Sequence, residues 1–261
     1  MPCNSCNSKL SNLEANFGAH HRWSDFISAK KKRINLKKKK IVLSTCNFCD
    51  LIQIKEPLPA NRITPRHKWI INKEETKHHS KLVKLLINKK ILNKRKKFLA
   101  ISHYDEEILK NLNKKRFSNL KTLNLKRDLE VINKNKLRQE VIQNYLNKQC
   151  SQIFIKNNGK VDVIICSKVL EHTQKIFNFF EFCNKVLNKD GIIIIDVPDC
   201  KKSLKQGNIS MVWEEHISYF TQNTLDNTFL IHGFKKKYFK TFFYKQENAL
   251  VGVYKKNNII K

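Results

Sequence analysis

Two stretches in the second half of the chain decide the fold: VDVIICSKVLEH at residues 161–172 and LNKDGIIIIDVPD at residues 187–199. Each contains a run of apolar, mostly β-branched residues, which is typical of a strand buried on both faces. Between them, residues 176–187 carry apolar side chains at helical spacing, which predicts an amphipathic helix. A strand, a helix and another buried strand form the unit of a parallel sheet. The chain is therefore predicted to hold an α/β domain with helices on both faces of a mostly parallel sheet.

The same alternation continues on both sides of these stretches. Further strands are predicted at residues 98–102, 120–125, 234–243 and 249–254, and further helices at residues 74–88, 106–112, 136–146 and 223–232. A turn is predicted at residues 188–191, where Asn-Lys-Asp-Gly separates a helix from a strand. Pro57, Pro59 and Pro65 mark an extended connector. We therefore expect a small N-terminal domain at residues 1–56, a connector and helix at residues 57–96, and the sheet domain at residues 97–261.

Four of the eight cysteines form two Cys-x-x-Cys pairs, Cys3 with Cys6 and Cys46 with Cys49. Two such turns together supply four thiolates in the tetrahedral arrangement that zinc prefers. The alternatives are two unrelated pairs or a redox dithiol, but a redox dithiol needs one pair only and normally follows a strand of a thioredoxin-like fold. A shared metal site is the favoured interpretation, and because thiolates fill every position, the zinc is expected to be structural. The residues between the pairs are expected to form a hairpin or loop.

The chain is strongly basic, with 52 Lys and Arg against 22 Asp and Glu and a formal net charge of +30. Such a charge attracts polyanions, but it is spread along the chain and accompanied by only 6 Gly and 5 Pro. That pattern is typical of an AT-rich coding sequence, so composition explains the total better than a polyanion partner does. A dense basic run at residues 30–40 lacks the interleaved aromatic residues that stack on bases. We therefore expect no specific nucleic-acid partner.

A membrane partner is not expected either, because the longest apolar run, residues 191–195, is far shorter than the roughly 20 residues that a membrane span needs. The first residues show no apolar stretch behind a basic one, so no signal peptide is expected and the protein is expected to be cytoplasmic. In that compartment the cysteines do not indicate a disulfide framework. The four cysteines outside the two pairs lie singly, mostly in apolar segments, and are expected to be buried: Cys150, Cys166, Cys183 and Cys200.

Three segments occur in an order that carries a family resemblance. The strand at residues 162–166 leads into Val-Leu-Glu-His, the strand at residues 192–197 leads into Val-Pro-Asp, and WEEHISYFT at residues 213–221 precedes a helix that ends at Gly233. In this order the chain resembles the class I S-adenosylmethionine-dependent methyltransferases. It resembles more closely the branch with an N-terminal four-Cys zinc domain, typified by nucleotide-sugar C-methyltransferases, whose connector fits the proline-containing residues 57–70. The resemblance covers nearly the whole chain and implies a Rossmann-like methyltransferase sheet preceded by a small zinc-binding domain.

The resemblance also implies that S-adenosylmethionine lies across the carboxyl ends of the first strands. The implied cofactor residues follow the first, second and fourth strands of that fold: Ile101, Ser102, His103, Tyr104, Asp105, Asn124, Asp128, Ser167 and Val169. Two features depart from the family pattern. The loop at residues 101–106 has no glycine, whereas a Gly-x-Gly loop normally lets the backbone approach the cofactor. Asn124 stands where an acid normally holds the ribose hydroxyls, and Asp128 is the alternative acid.

The Glu215-His216 pair is the feature that most suggests catalysis. In the sugar C-methyltransferases a histidine in such a segment is thought to remove a proton next to a keto group, and the resemblance assigns this role to His216. Attack of carbon on a methyl group requires a carbanion, and a histidine near neutrality is a suitable base. Glu215 is expected to orient His216, and Tyr219 to hydrogen-bond the substrate or the enolate oxygen. The alternative is that this segment only folds under the sheet, with Tyr219 in the core.

The other histidines are assigned lesser roles. His172 is expected to be a packing residue or to lie at the edge of the cofactor. His20-His21 and His78-His79 are neighbours in sequence, and neighbours do not share a helix face. Both pairs are expected on the surface.

The leading hypothesis is an enzyme that methylates carbon in a small molecule, such as a nucleotide-linked keto-sugar, with S-adenosylmethionine as methyl donor and zinc as a structural metal. The sugar C-methyltransferases continue for a further domain, whereas this sequence ends at Lys261. Two alternatives stay open: a non-catalytic, methyltransferase-like partner of a complete enzyme, and a zinc-containing nucleic-acid-binding module. No oligomeric state is predicted.

Overall fold

The computed structural model describes residues 2–22, 37–63, 76–131, 139–245 and 247–257. Residues 65–70 of the predicted connector and most of the dense basic run lie outside the described residues. Within them, the chain forms a small antiparallel sheet and a larger mixed sheet.

The small sheet is built around the two Cys pairs and has the strand order β1-β2-β3-β8. Its strands are β1 (Leu10–His20), β2 (Lys39–Cys46), β3 (Ile52–Ile54) and β8 (Ser218–Tyr219). β1 and β2, which lie between the two Cys pairs, are antiparallel neighbours, as expected of a hairpin inserted there. β8 comes from the second half of the chain and pairs with β3. The small sheet is therefore tied directly to the segment that carries His216.

The larger sheet has six strands in the order β5-β4-β6-β7-β10-β9. They are β4 (Phe98–Ala100), β5 (Leu120–Thr122), β6 (Val161–Ser167), β7 (Leu187–Asp199), β9 (Phe234–Phe242) and β10 (Asn248–Lys256). The strands from β5 to β7 are parallel, whereas β10 pairs antiparallel with both β7 and β9. The predicted, mostly parallel sheet is confirmed.

Helices cover both faces of the larger sheet. They are α1 (Ala60–Ile63), α2 (His79–Asn88), α3 (Glu106–Lys114), α4 (Leu125–Leu129), α5 (Gln139–Ile142), α6 (Lys148–Asn158), α7 (Ile176–Val186), α8 (Lys201–Gln206) and α9 (Gln222–Ile231). Ile193 and Ile195 pack in one core cluster with α6, α7 and α9, whereas Ile192 and Ile194 pack in another with α2 and α3. Burial of apolar surface on both faces is the main stabilising term of such a fold. The predicted two-sided covering is confirmed.

The cysteines also contribute to these cores. Cys3, Cys46 and Cys49 belong to the same core cluster as the β7 residues Ile193 and Ile195. The four single cysteines are buried, as predicted: Cys150, Cys166, Cys183 and Cys200.

The turn predicted at residues 188–191 is wrong, because these residues stay within β7 as a bulge. Val161 pairs with Leu187, whereas Val163 pairs with Ile192, so the extra residues of β7 lie opposite a single residue of β6. Gly191 permits this close approach, since a Cβ at that position would lie only 2.8 Å from Leu187 Cδ2.

Two helix predictions are also corrected. Of the helix expected over residues 136–146, residues 136–138 lie outside the described residues, and the rest is α5 followed by a 3₁₀ turn at Gln143–Tyr145, with the longer α6 after it. Asn147 starts α6, because its side chain accepts a hydrogen bond from the Cys150 N–H. The first two residues of the helix expected from residue 74 lie outside the described residues, and within them the helix begins at His79 as α2. The strand β5 ends at Thr122, before the predicted residue 125.

Candidate active site

The loop after β4 has no glycine, and the hydrogen bonds of a carboxylate hold it in place. Asp105 ends the 3₁₀ turn His103–Asp105, and its buried Oδ2 accepts hydrogen bonds from the N–H groups of Ile101 (3.0 Å) and Ser102 (2.8 Å). Its Oδ1 accepts from the Ser167 N–H (2.9 Å) at the end of β6. Burial raises the pKa of Asp105 to about 6, although the hydrogen bonds from Ser167 and Ser102 act in the opposite direction. Asp105 thus fixes the glycine-free loop against β6.

The end of β5 carries the predicted ribose-binding position. Asn124 is exposed and caps α4, with its Oδ1 accepting from the Arg127 N–H at 2.9 Å. Asp128 is buried, accepts from the Asn124 N–H at 2.9 Å and lies 3.0 Å from Lys121 Nζ. Burial opposes its ionisation, but the hydrogen bonds from Arg127, Asn124 and Lys121 together hold the pKa of Asp128 below its usual value. Asp128 therefore supports this loop from inside, whereas the Asn124 side chain remains exposed beside it.

The end of β6 leaves a polar atom unsatisfied. Among the described residues, the buried Ser167 Oγ has no hydrogen-bond partner, and the Ser167 backbone oxygen accepts from Ser102 Oγ at 2.7 Å. Of the other predicted cofactor residues, Val169 is buried, Tyr104 is half-buried and His103 is exposed. Because β4, β5 and β6 are parallel neighbours, their carboxyl ends lie along one edge of the sheet. The unsatisfied hydroxyl of Ser167 and the exposed amide of Asn124 lie at this edge. Both side chains can form hydrogen bonds with the hydroxyl, amine and carboxylate groups of S-adenosylmethionine, so they fit this cofactor.

A cleft of about 1010 Å³ begins at Lys168, the residue after β6. It is lined by residues from several elements, among them Lys77, Lys168, Lys202, Trp213, His216 and Tyr244. Four lysines line it against a single acidic residue, Glu247. Such a cleft favours a ligand that carries negative charge.

His216 is the imidazole of this cleft. It is buried, its ring lies 5.0 Å from the rings of both His172 and Trp213, and its Nε2 has no hydrogen-bond partner among the described residues. Burial, followed by the charges of His172 and Lys168, holds the pKa of His216 well below its usual range, despite a hydrogen bond to the Met211 backbone. The ring is therefore neutral at physiological pH, and Nε2 has a lone pair that can accept a proton.

The neighbours of His216 are arranged differently from expectation. His172 donates from Nδ1 to the Glu215 backbone oxygen (2.7 Å), and burial lowers the pKa of His172 to about 4. Glu215 is buried in the same segment. Tyr219 is fully buried in β8, and its hydroxyl donates to the Trp213 backbone oxygen at 3.5 Å. Tyr219 is thus a core residue, as the packing alternative predicts, and it does not line the cleft described above.

The expectation that His78-His79 lies on the surface is wrong. Both rings are buried, and each places its Nε2 3.0 Å from Oδ2 of Asp196 in β7. Lys168 Nζ lies 3.2 Å from Oδ1 of the same carboxylate. A buried acid within an apolar strand needs polar or charged partners. Asp196 is therefore the residue in the sequence that indicates such a network, but the sequence does not identify the partners.

The two Cys pairs meet as predicted. The Sγ atoms of Cys3 and Cys49 are 3.6 Å apart, those of Cys6 and Cys46 3.4 Å, and those of Cys6 and Cys49 3.7 Å. Zinc–thiolate bonds of about 2.3 Å place tetrahedral sulfur atoms about 3.8 Å apart. The spacing is far longer than a disulfide bond, and all four thiols are free. The donor set therefore fits one zinc ion.

Within the described ranges, no helix combines the length and the apolar character that crossing a membrane requires.

The chain is similar in sequence pattern to one protein family and in structure to several solved proteins. A family model described as a methyltransferase domain matches residues 74–237, more than half of the chain. No curated protein matches the sequence. Among solved structures, the chain is similar to the 1,6-didemethyltoxoflavin-N1-methyltransferase of Burkholderia thailandensis with bound 1,6-didemethyltoxoflavin and S-adenosylhomocysteine, at 10% identity and a TM-score of 0.47, covering 92% of this chain and 100% of that chain. It is also similar to the magnesium protoporphyrin IX methyltransferase of Synechocystis PCC 6803, at 9% identity and a TM-score of 0.41, covering 72% of this chain and 90% of that chain. The extent of the family match decides the assignment: the chain belongs to the methyltransferase-domain family and is an S-adenosylmethionine-dependent methyltransferase.

Proposed function

We propose that this methyltransferase methylates a carbon atom next to a carbonyl group in a small anionic substrate, such as a nucleotide-linked keto-sugar, with His216 as the general base. The observation that carries the proposal is the position of His216 Nε2, which is buried, unpartnered among the described residues and part of the cleft that begins at the end of β6.

His216 can take a proton from carbon although its pKa lies well below the usual range, because the negative charge that develops on the adjacent substrate favours the protonated ring. Its neutral imidazole takes the proton at Nε2, and the electron pair of the broken C–H bond is delocalised onto the carbonyl oxygen of the substrate. Burial excludes water from the ring, so the acquired proton is held beside the negative charge that its removal created. S-adenosylmethionine, when bound, supplies the electrophilic methyl group that the carbon receives.

The charge of the cleft supports an anionic substrate. Lys77, Lys202 and Lys245 are exposed along its walls. Exposed lysines of this kind suit the phosphate groups of a nucleotide-linked sugar, since an ammonium acts as a point charge for phosphate. The volume of about 1010 Å³ is at the upper end of small-molecule sites, which accommodates a substrate of that size.

The cofactor residues have distinct tasks in this proposal. Asp105 fixes the loop after β4, and Ser167 Oγ and Asn124 bond the ribose or methionine groups. Glu215 orients the segment of His216 through its backbone contact with His172. The four-Cys cluster binds one structural zinc ion and supports the small sheet. The strand β8 of that sheet starts at Ser218, two residues after His216.

The test is methyl transfer to a panel of phosphorylated ketones and nucleoside-diphosphate-linked keto-sugars. Product analysis should find the new methyl group on carbon, and His216→Asn should lower its formation by roughly 10²–10⁴-fold, the usual contribution of a general base. S-adenosylhomocysteine should bind the variant and the wild type equally. His20→Asn, an exposed position on β1, is the matched control. Methylation of nitrogen or oxygen alone, with His216→Asn fully active, would refute the proposal.

A further inference from the structure

Lys168 has an unusual backbone conformation for a lysine. Its φ of 57° lies in the left-handed region, which is unfavourable for residues other than glycine. Its N–H donates to the Asp196 backbone oxygen at 2.9 Å, and its Nζ lies 3.2 Å from Asp196 Oδ1. The residue is buried, yet it lines the same cleft as His216. Lys90 and four other described non-glycine residues also have a positive φ, but Lys168 alone among these lines the cleft, and strained backbone at such a place motivates a functional explanation.

Asp196 is itself held from a second element. His78 and His79, at the start of α2, each lie 3.0 Å from its Oδ2 through Nε2. A carboxylate only accepts hydrogen bonds, so both rings donate from Nε2. Tyr244 completes the arrangement, because its hydroxyl lies 2.8 Å from His78 Nδ1 and accepts from the His78 N–H. Burial opposes ionisation of Asp196, but Lys168 and the two histidines hold the pKa of Asp196 well below its usual range.

The same histidines and carboxylate offer ligand atoms close enough for a metal ion. The charge balance argues against that use. The single negative charge of Asp196 is already matched by Lys168, so a divalent cation would leave two uncompensated positive charges in a buried site, which is strongly unfavourable. The charge of the network is therefore balanced without a metal by the Lys168–Asp196 ion pair, and the effect of the network is to hold one ammonium group in a fixed place.

Stability does not explain such an arrangement. A buried ion pair is often no more stabilising than apolar residues of similar volume, and the left-handed backbone adds a further cost. The arrangement is explained if the ammonium acts on the substrate, because a positive charge fixed before the reaction stabilises negative charge that develops during it.

We infer that Lys168 is a catalytic residue, whose ammonium stabilises the negative charge on the carbonyl oxygen of the substrate when His216 removes the adjacent proton. This inference rests on the proposed function. In the step, the proton passes from carbon to His216 Nε2, and the C–H electron pair becomes the enolate, whose oxygen faces Lys168. His78, His79 and Asp196 are positioning residues that act through Lys168.

The test is exchange of the substrate C–H with deuterium in D₂O without methyl donor, measured by mass spectrometry on the keto-sugar panel. Lys168→Met should lower the exchange rate by about 10²–10³-fold, the usual effect of removing one donor to an oxyanion. The Michaelis constant for the ketone and the affinity for S-adenosylhomocysteine should change little. Lys168→Arg, which keeps the charge, should recover part of the rate. Lys205→Met, exposed on α8, is the control and should exchange at the wild-type rate.

A second variant separates catalysis from folding. Lys168→Met leaves Asp196 as a buried carboxylate without its lysine counter-charge, whereas the double variant with Asp196→Asn removes both charges of the pair. The double variant should fold and still lack rapid exchange. A double variant that regains the wild-type rate would show that Lys168 only neutralises Asp196, and would overturn the inference. A wild-type protein that neither exchanges nor methylates carbon would overturn the proposed function and the inference together, whereas full activity of Lys168→Met overturns the inference alone.

Discussion

Asp105 makes a quantitative prediction about the glycine-free loop. Its carboxylate accepts from three backbone N–H groups and holds the loop after β4 against β6. Burial raises its pKa from 3.8 to about 6. The folded state therefore holds the proton of Asp105 more tightly than the unfolded chain does. Its contribution to stability is fully present below pH 3.8 and is lost as the pH rises to about 6.

The size of this effect follows from the shift. Each pKa unit corresponds to about 1.4 kcal/mol, so the shift corresponds to about 3 kcal/mol of unfolding free energy. Asp105→Asn replaces the carboxyl group by an amide of the same shape that does not titrate. The difference in unfolding free energy between wild type and variant should therefore fall by about 3 kcal/mol across this pH range.

The assay is urea denaturation of both proteins over a series of pH values, with the difference taken at each pH so that the other carboxylates cancel. Glu107→Gln, an exposed acid on α3, should show a difference that barely changes with pH. A wild-type-minus-Asp105→Asn difference that is constant, or that grows as the pH rises, would refute the conclusion that burial outweighs the three N–H donors and raises the pKa of Asp105.

Three further predictions concern the metal, the cofactor and the bulge in β7. The purified protein should contain about one zinc per chain, and Cys46→Ser should release it and loosen the N-terminal sheet; elemental analysis that finds no metal in fresh, reduced protein would contradict this. S-adenosylhomocysteine should raise the melting temperature with increasing concentration, and no shift at millimolar ligand would count against the strand-end site. Gly191→Ala should destabilise the fold by about 1–3 kcal/mol, because its Cβ would lie 2.8 Å from Leu187 Cδ2; unchanged denaturation would show that the bulge relaxes freely.

The elements that sequence reasoning placed correctly share one property: their pattern is local. The continuous apolar residues of β6 and β7 predict strands that are buried on both faces. The helical spacing of the apolar residues in α7 predicts which face of that helix is buried. The long interval between the Cys pairs predicts an inserted hairpin or loop, and β1 and β2 pair within it. By contrast, α6 has few apolar residues, with only Cys150, Ser151 and Phe154 buried, so its hydrophobic period is weak and the N-cap Asn147 is its clearest signal.

The active site was predictable only in part, for a physical reason. His216 lies in a recognisable segment, and the strand ends that carry Asp105 and Ser167 follow from the order of strands. The contact of Asp196 with His78 and His79 joins residues more than a hundred positions apart, and no local pattern encodes it. The rule that adjacent histidines do not share a helix face predicted an exposed pair. It fails here because both rings lie at the start of α2, where each reaches the same carboxylate.

The most direct test of the central claim is deuterium exchange at the carbon beside the carbonyl of a keto-sugar substrate, followed in D₂O without S-adenosylmethionine. The account predicts exchange by the wild-type enzyme and its loss, by roughly 10²–10⁴-fold, in His216→Asn, with the melting temperature and the affinity for S-adenosylhomocysteine nearly unchanged. A His216→Asn variant that exchanges and methylates at the wild-type rate per folded molecule would contradict it, and would leave His216 as a buried packing residue of the cleft.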